Sequence, residues 1–128
     1  MESGPQEGTL RFESLRGGAM NEQDDNETWL IEIGHDVIAK KANVGSSSLL
    51  PWERLVYCLW VADYGMRNAG DLETANDMHA AFQDEGRTLA AALSLPLTLD
   101  AFGLSKSDLQ DQYFDLFDGI CVELRGAG

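Results

Sequence analysis

Apolar residues in this chain recur at every third or fourth position, and after residue 16 they never settle into a two-residue alternation. That period suits the face of an α-helix and is wrong for a half-buried strand. The spacing predicts four helical segments. The first runs from about 26 to 42, with Trp29, Leu30, Ile33, Val37 and Ile38 on one face and Asp25 or Asn26 as its N-cap. Gly45 to Ser48 reads as a loop, and the second helix covers 49–68 behind a serine cap, with Pro51 in its first turn. Leu55, Val56, Leu59, Trp60 and Val61 make this segment apolar around much of its circumference, which predicts the central helix of the core. Gly70 is suited to a left-handed turn that ends it.

Asp71 is placed to cap a third helix over 72–93, with Leu72, Ala75, Met78, Phe82, Leu89 and Leu93 inward and Gly86 as the point where it bends or divides. Pro96 closes that segment, and a short helical turn fits 98–103. The last helix runs from about 106 to 125, opened by the Ser105-x-x-Asp108 arrangement and followed by Gly126. Residues 1–20, rich in glycine, read as a flexible leader, with Leu10 to Leu15 as the one stretch able to pair as a strand. Met20, after Gly17-Gly18-Ala19, stands where a natural start would. The fold class expected is all-α, an irregular bundle of four to five helices, with residues 21–128 forming a single acidic domain.

A chain of 128 residues buries enough surface to do without a metal or disulfide. Its two cysteines, Cys58 and Cys121, lie in apolar surroundings, lack CxxC spacing and read as buried free thiols in a reducing compartment. No apolar run approaches the roughly 20 residues that span a bilayer, and no secretory signal opens the chain, so the cytoplasm is the expected location.

Charge narrows the function. Twenty-two acids face nine bases, a net charge of −13. Residues 1–19 hold three Glu and two Arg, so the remainder keeps 19 acids and 7 bases and the acidity belongs to the domain. Such a surface repels nucleic acid and anionic membrane and attracts basic partners. On the last helix, Asp108, Asp111, Asp115 and Asp118 fall within an arc of roughly 80°, opposite Leu109, Tyr113, Leu116, Phe117, Ile120 and Leu124. Neighbouring members lie roughly 5–6 Å apart at Cβ, a spacing that permits imitation of a phosphate backbone. A run of charge is ordinarily a solvated face. Ordinary faces interleave Lys with Glu, however, whereas here Lys106 and Arg125 stand only at the helix ends. Asp77 and Asp84 lie on a second arc in the third helix. A further acidic cluster, Glu22, Asp24, Asp25, Glu27, Glu32 and Asp36, precedes the first lysine after Met20, Lys40.

Catalytic signatures are missing from the sequence. Neither His35 nor His79 belongs to an HExxH motif, no calcium loop or GxSxG elbow is present, and the glycines make no phosphate cradle. His35 beside Asp36 and His79 near Asp77 read as two unrelated histidines. No metal, cofactor or catalytic residue is expected, and Trp29, Trp52 and Trp60 read as packing.

The segments LPWERLVYCLWVADYGMRNAGDL, ANDMHAAFQDEG and LQDQYFDLFDGI resemble, over about residues 51–124, a family of small acidic bacterial domains that includes a DNA-mimic protein. That family has an Asn-Asn-Gly-Gly-like turn followed by an aromatic; here Asn68-Ala69-Gly70 and Leu72 stand in their place. The resemblance implies an all-α fold, no enzymatic activity and binding to basic proteins. The expected function is therefore an acidic binder of a basic partner (a transcription factor, nuclease or toxin) through Asp108, Asp111, Asp115 and Asp118, helped by Asp77 and Asp84. The alternatives are an immunity protein that neutralises a toxin, a metal-dependent carboxylate enzyme, and a scaffold that homodimerises through Tyr64 or Phe114.

Overall fold

The computed structural model describes residues 22–128. The expectations for the leader, for Leu10 to Leu15 and for Met20 lie outside the described residues. Six α-helices follow one another: α1 (Glu22–Val44), α2 (Pro51–Ala69), α3 (Glu73–Met78), α4 (Phe82–Ala92), α5 (Pro96–Phe102) and α6 (Lys106–Ala127). A single 3-10 turn, Ser46–Ser48, joins α1 to α2, and no strand occurs among the described residues. The fold is all-α.

Helix α2 lies at the centre and touches α1, α3, α4 and α6. Leu55, Val56, Cys58, Leu59 and Val61 are fully buried, as expected of a helix apolar on several sides. Its start differs from the serine cap read from the sequence. Ser48 donates its hydroxyl hydrogen bond to the Val44 carbonyl, finishing α1. Leu50 is the N-cap residue of α2, and Glu53 accepts the Leu50 amide at 2.8 Å. At the other end Gly70 takes φ 75° and donates to the Met66 carbonyl, the turn that glycine adopts without a Cβ penalty.

The third segment is two helices. The division falls at His79–Ala81, not at Gly86. Gly86 sits inside α4 because a Cβ there would meet the Phe102 ring at 2.8 Å, so it permits a close approach between α4 and α5. Asp71 does receive an amide, that of Glu73, at 3.1 Å. Met78, read as inward, is exposed, because α3 ends there and the chain turns away. Pro96 does not close a segment but opens α5, whose first amides are held by a side chain from α6. Glu123 accepts from the Leu97 and Thr98 amides at 2.9 and 2.7 Å. Ser105 caps α6 as its spacing requires, accepting from the Asp108 amide at 3.1 Å.

Asn26 is not a cap either. It is buried inside α1, donates to Asp118 at 3.0 Å and accepts from Arg125 at 2.9 Å, joining the first helix to the last. A further polar tie to α6 is deeper. The Tyr113 hydroxyl donates to the Asp63 carboxylate at 2.7 Å, and Arg67 grips both oxygens of that carboxylate at 3.0 Å. Burial raises the Asp63 pKa despite these bonds, with Glu27 adding to the rise. The Arg67 guanidinium rests 4.9 Å from the centre of the Phe117 ring. Trp29 and Trp52 pack at 6.4 Å, and the Trp52 indole donates to the Leu124 carbonyl at 2.7 Å, which bears out their reading as packing residues.

Two expectations follow. Asp63→Ala leaves the buried Tyr113 hydroxyl without its acceptor and takes from half-buried Arg67 one of its two acidic partners, and urea unfolding should show a loss of about 1–3 kcal/mol. Gly86→Ala should be destabilising as well. Overpacking of about 1–3 kcal/mol against Phe102 outweighs the roughly 1 kcal/mol that alanine gains in a helix interior, and an unchanged or raised melting temperature would refute the close-packing account.

Candidate functional site

The face of α6 follows from its buried side. Leu109, Tyr113, Phe117, Ile120, Cys121 and Leu124 are inward, which forces Asp108, Asp111 and Asp115 outward, and all three are exposed. None of the three side chains has a hydrogen-bond or ion-pair partner among the described residues. The cations at the helix ends are occupied elsewhere: Lys106 pairs with Glu73 of α3, and Arg125 pairs with Asp25 of α1 at 2.9 Å. Asp118 differs from its companions. It is half-buried at the edge nearest α1, where it accepts the Asn26 amide. The open stripe is thus three carboxylates, with the fourth committed to packing.

Asp77 and Asp84 are exposed on α3 and α4, and no polar contact among the described residues joins them to α6. Asp84 stands in the first turn of α4, where a negative charge suits the helix dipole. The N-terminal acidic cluster divides in the same way. Asp25 is held by Arg125 and Glu27 lies 3.4 Å from Arg67, while Glu32 and Asp36 point into solvent.

A second site went unnoticed in the sequence. Beside the α3–α4 turn is a cleft of about 170 Å³ lined by Lys41, Ser46, Arg54, Tyr57, His79 and Glu85. Glu85 is its hub. Oε2 receives Arg54 through Nε at 2.9 Å and Nη2 at 2.7 Å. Oε1 lies 2.6 Å from His79 Nε2 and 3.7 Å from Cys58 Sγ. Cys58, His79 and Glu85 each offer one donor atom, all within 4.8 Å of one another. Burial opposes the ionisation of Glu85, but the His79 and Arg54 hydrogen bonds, with the charge of Arg54, hold its carboxyl below the ordinary value. Burial, reinforced by the Glu85 charge, pushes the Cys58 thiol far up, so it rests protonated.

The partner of His79 is therefore Glu85, not Asp77. His35 borders a separate cleft of about 360 Å³ with Glu27, Ile31, Trp60, Tyr64 and Arg67. The two histidines are unrelated, as their sequence context suggested. The grouping of Cys58 with His79 and Glu85 had no motif to announce it, since its members come from α2, a turn and α4. No helix among the described residues is long and apolar enough to cross a membrane. No protein-family model, no curated protein and no solved structure matches this chain.

The lowered Glu85 pKa has a pH signature. Its ionised form stabilises the fold above the unfolded value near 4.5, and that contribution is lost as pH falls through the lower folded value. Melting temperatures of the parent protein and Glu85→Gln should differ most above pH 4.5 and converge in stronger acid.

Proposed function

We propose that the protein is a non-enzymatic acidic binder that covers the basic, nucleic-acid-facing surface of a protein partner, with the α6 carboxylates standing in for phosphates. One observation carries this reading. Asp108, Asp111 and Asp115 project together from a helix whose opposite side is fully packed, while Lys106 and Arg125 are engaged with other acids. Like charges at three- and four-residue spacing repel by a few tenths of a kcal/mol per pair, so leaving them unneutralised costs stability. A basic partner turns that cost into attraction, with Arg forks meeting carboxylates as they meet phosphates. Asp118 contributes as a hydrogen-bonded flank, and Asp77 and Asp84 enlarge the acidic field. The partner class is a transcription factor, nuclease or toxin. Direct contact with nucleic acid or membrane is disfavoured by the net charge. The free, buried Cys58 and Cys121 support a reducing, cytoplasmic setting.

The immunity-protein reading has an observation of its own. Phe114 is 42% exposed on the same helix, packed edge-on to Tyr113, and offers an apolar anchor next to the stripe. A toxin bound this way would stay bound in high salt.

The test uses immobilised full-length protein and a native cell extract at low salt. DNA-binding proteins should be retained, released by competing duplex DNA, and lost steeply as salt shortens the screening length below about 8–10 Å. Asp111→Asn with Asp115→Asn should abolish capture while preserving helical content. Undiminished capture by that double variant would remove the stripe from the mechanism, and salt-resistant retention of a single toxin would favour the immunity reading.

A further inference from the structure

We propose that Cys58, His79 and Glu85 form a three-ligand site for a zinc-class divalent cation that clamps the α3–α4 turn onto α2. The donor set is thiolate, imidazole and carboxylate, the three ligand types that zinc accepts. Each comes from a different part of the fold: Cys58 from the centre of α2, His79 from the turn after α3, and Glu85 from the first turn of α4. Their donor atoms already lie within 4.8 Å of one another.

The surroundings behave like an outer shell. Arg54 holds Glu85 Oε2 through two nitrogens, so Oε1 is the oxygen presented to His79 and Cys58. Such partners fix the orientation of a ligating carboxylate. The His79 ring packs 5.7 Å from Tyr57, which limits its rotation. Lys41, the other cation of the cleft, lies over the Tyr57 ring at 4.6 Å.

Binding requires a small rearrangement. Ligands about 2.0–2.1 Å from one tetrahedral ion stand roughly 3.3–3.5 Å apart, so the 2.6 Å His79–Glu85 contact must open by under about 1 Å. His79, in a turn and half-buried, has that freedom. Cys58 must give up its proton, so uptake releases a proton to solvent and strengthens as pH rises. Three protein ligands would leave a fourth position to water. This site is separate from the α6 stripe, and neither reading depends on the other.

Cobalt(II) added to the full-length protein under a non-thiol reductant tests the proposal. The expected result is uptake of one equivalent with a near-ultraviolet sulfur-to-cobalt charge-transfer band and a rise in melting temperature. The band should vanish in Cys58→Ser, whose folding is checked by circular dichroism. Affinity should fall by at least about tenfold in the partly exposed His79→Gln, the lower bound for loss even of an outer-shell partner. Asp111→Asn with Asp115→Asn should leave both signals intact. Three results would overturn the site: no stoichiometric uptake, uptake without the sulfur band, or undiminished affinity in His79→Gln.

Discussion

A single buried carboxylate, Asp63, governs how the central helix meets the last one. It lies in the apolar middle of the bundle, where an isolated charge would be very costly. Arg67, one turn along α2, supplies the countercharge, and Tyr113 of α6 supplies the remaining hydrogen bond. Hydrophobic contact alone would let α6 slide or rotate on α2 with modest loss. A directional bond from Tyr113 adds to the apolar packing of Leu109, Phe117, Ile120 and Leu124 that turns Asp111 and Asp115 outward. The acidic face is thus set from the reverse side of the same helix, by apolar burial together with the Tyr113 bond.

Helix type and burial were legible because they depend on local period. Leu55, Leu59, Phe117 and Ile120 are inward for the reason their spacing gave, and Ser105 and Gly70 sit where cap chemistry places them. Breaks without a glycine were harder to read. The α3–α4 division uses His79, Ala80 and Ala81, and the turn that follows α4 passes through Ser94, which takes φ 60° without the usual residue for that conformation. Gly86 misled because a helix-weakening residue was retained for its lack of a Cβ against Phe102, a contact 16 positions away. Tertiary proximity overrode propensity there, as it did at Asn26, whose amide is spent on Asp118 instead of on a helix end.

The two candidate sites differ in the same respect. The stripe is a one-helix feature, so its residues could be listed from the sequence, apart from the withdrawal of Asp118 by α1. The cleft around Glu85 is a three-element feature. Cys58 and Glu85 come together only once α4 lies across α2, and no spacing rule encodes that crossing. Charge is also handled differently at each. Arg54 compensates Glu85 at close range, whereas the nearest cations on α6 are diverted to neighbouring helices. The cleft thus has its acid compensated within the chain, whereas Asp108, Asp111 and Asp115 meet no cation among the described residues.

The thiols carry a practical consequence. Burial, with the charges of Asp63 and Asp118, pushes Cys121 up to about 12, so almost none of it is nucleophilic at neutral pH while the bundle is closed. An alkylating reagent therefore reaches it only through transient opening of the helices around it. Its labelling rate becomes a clock for those openings, and it reads internal breathing of the bundle from one native side chain without any introduced probe.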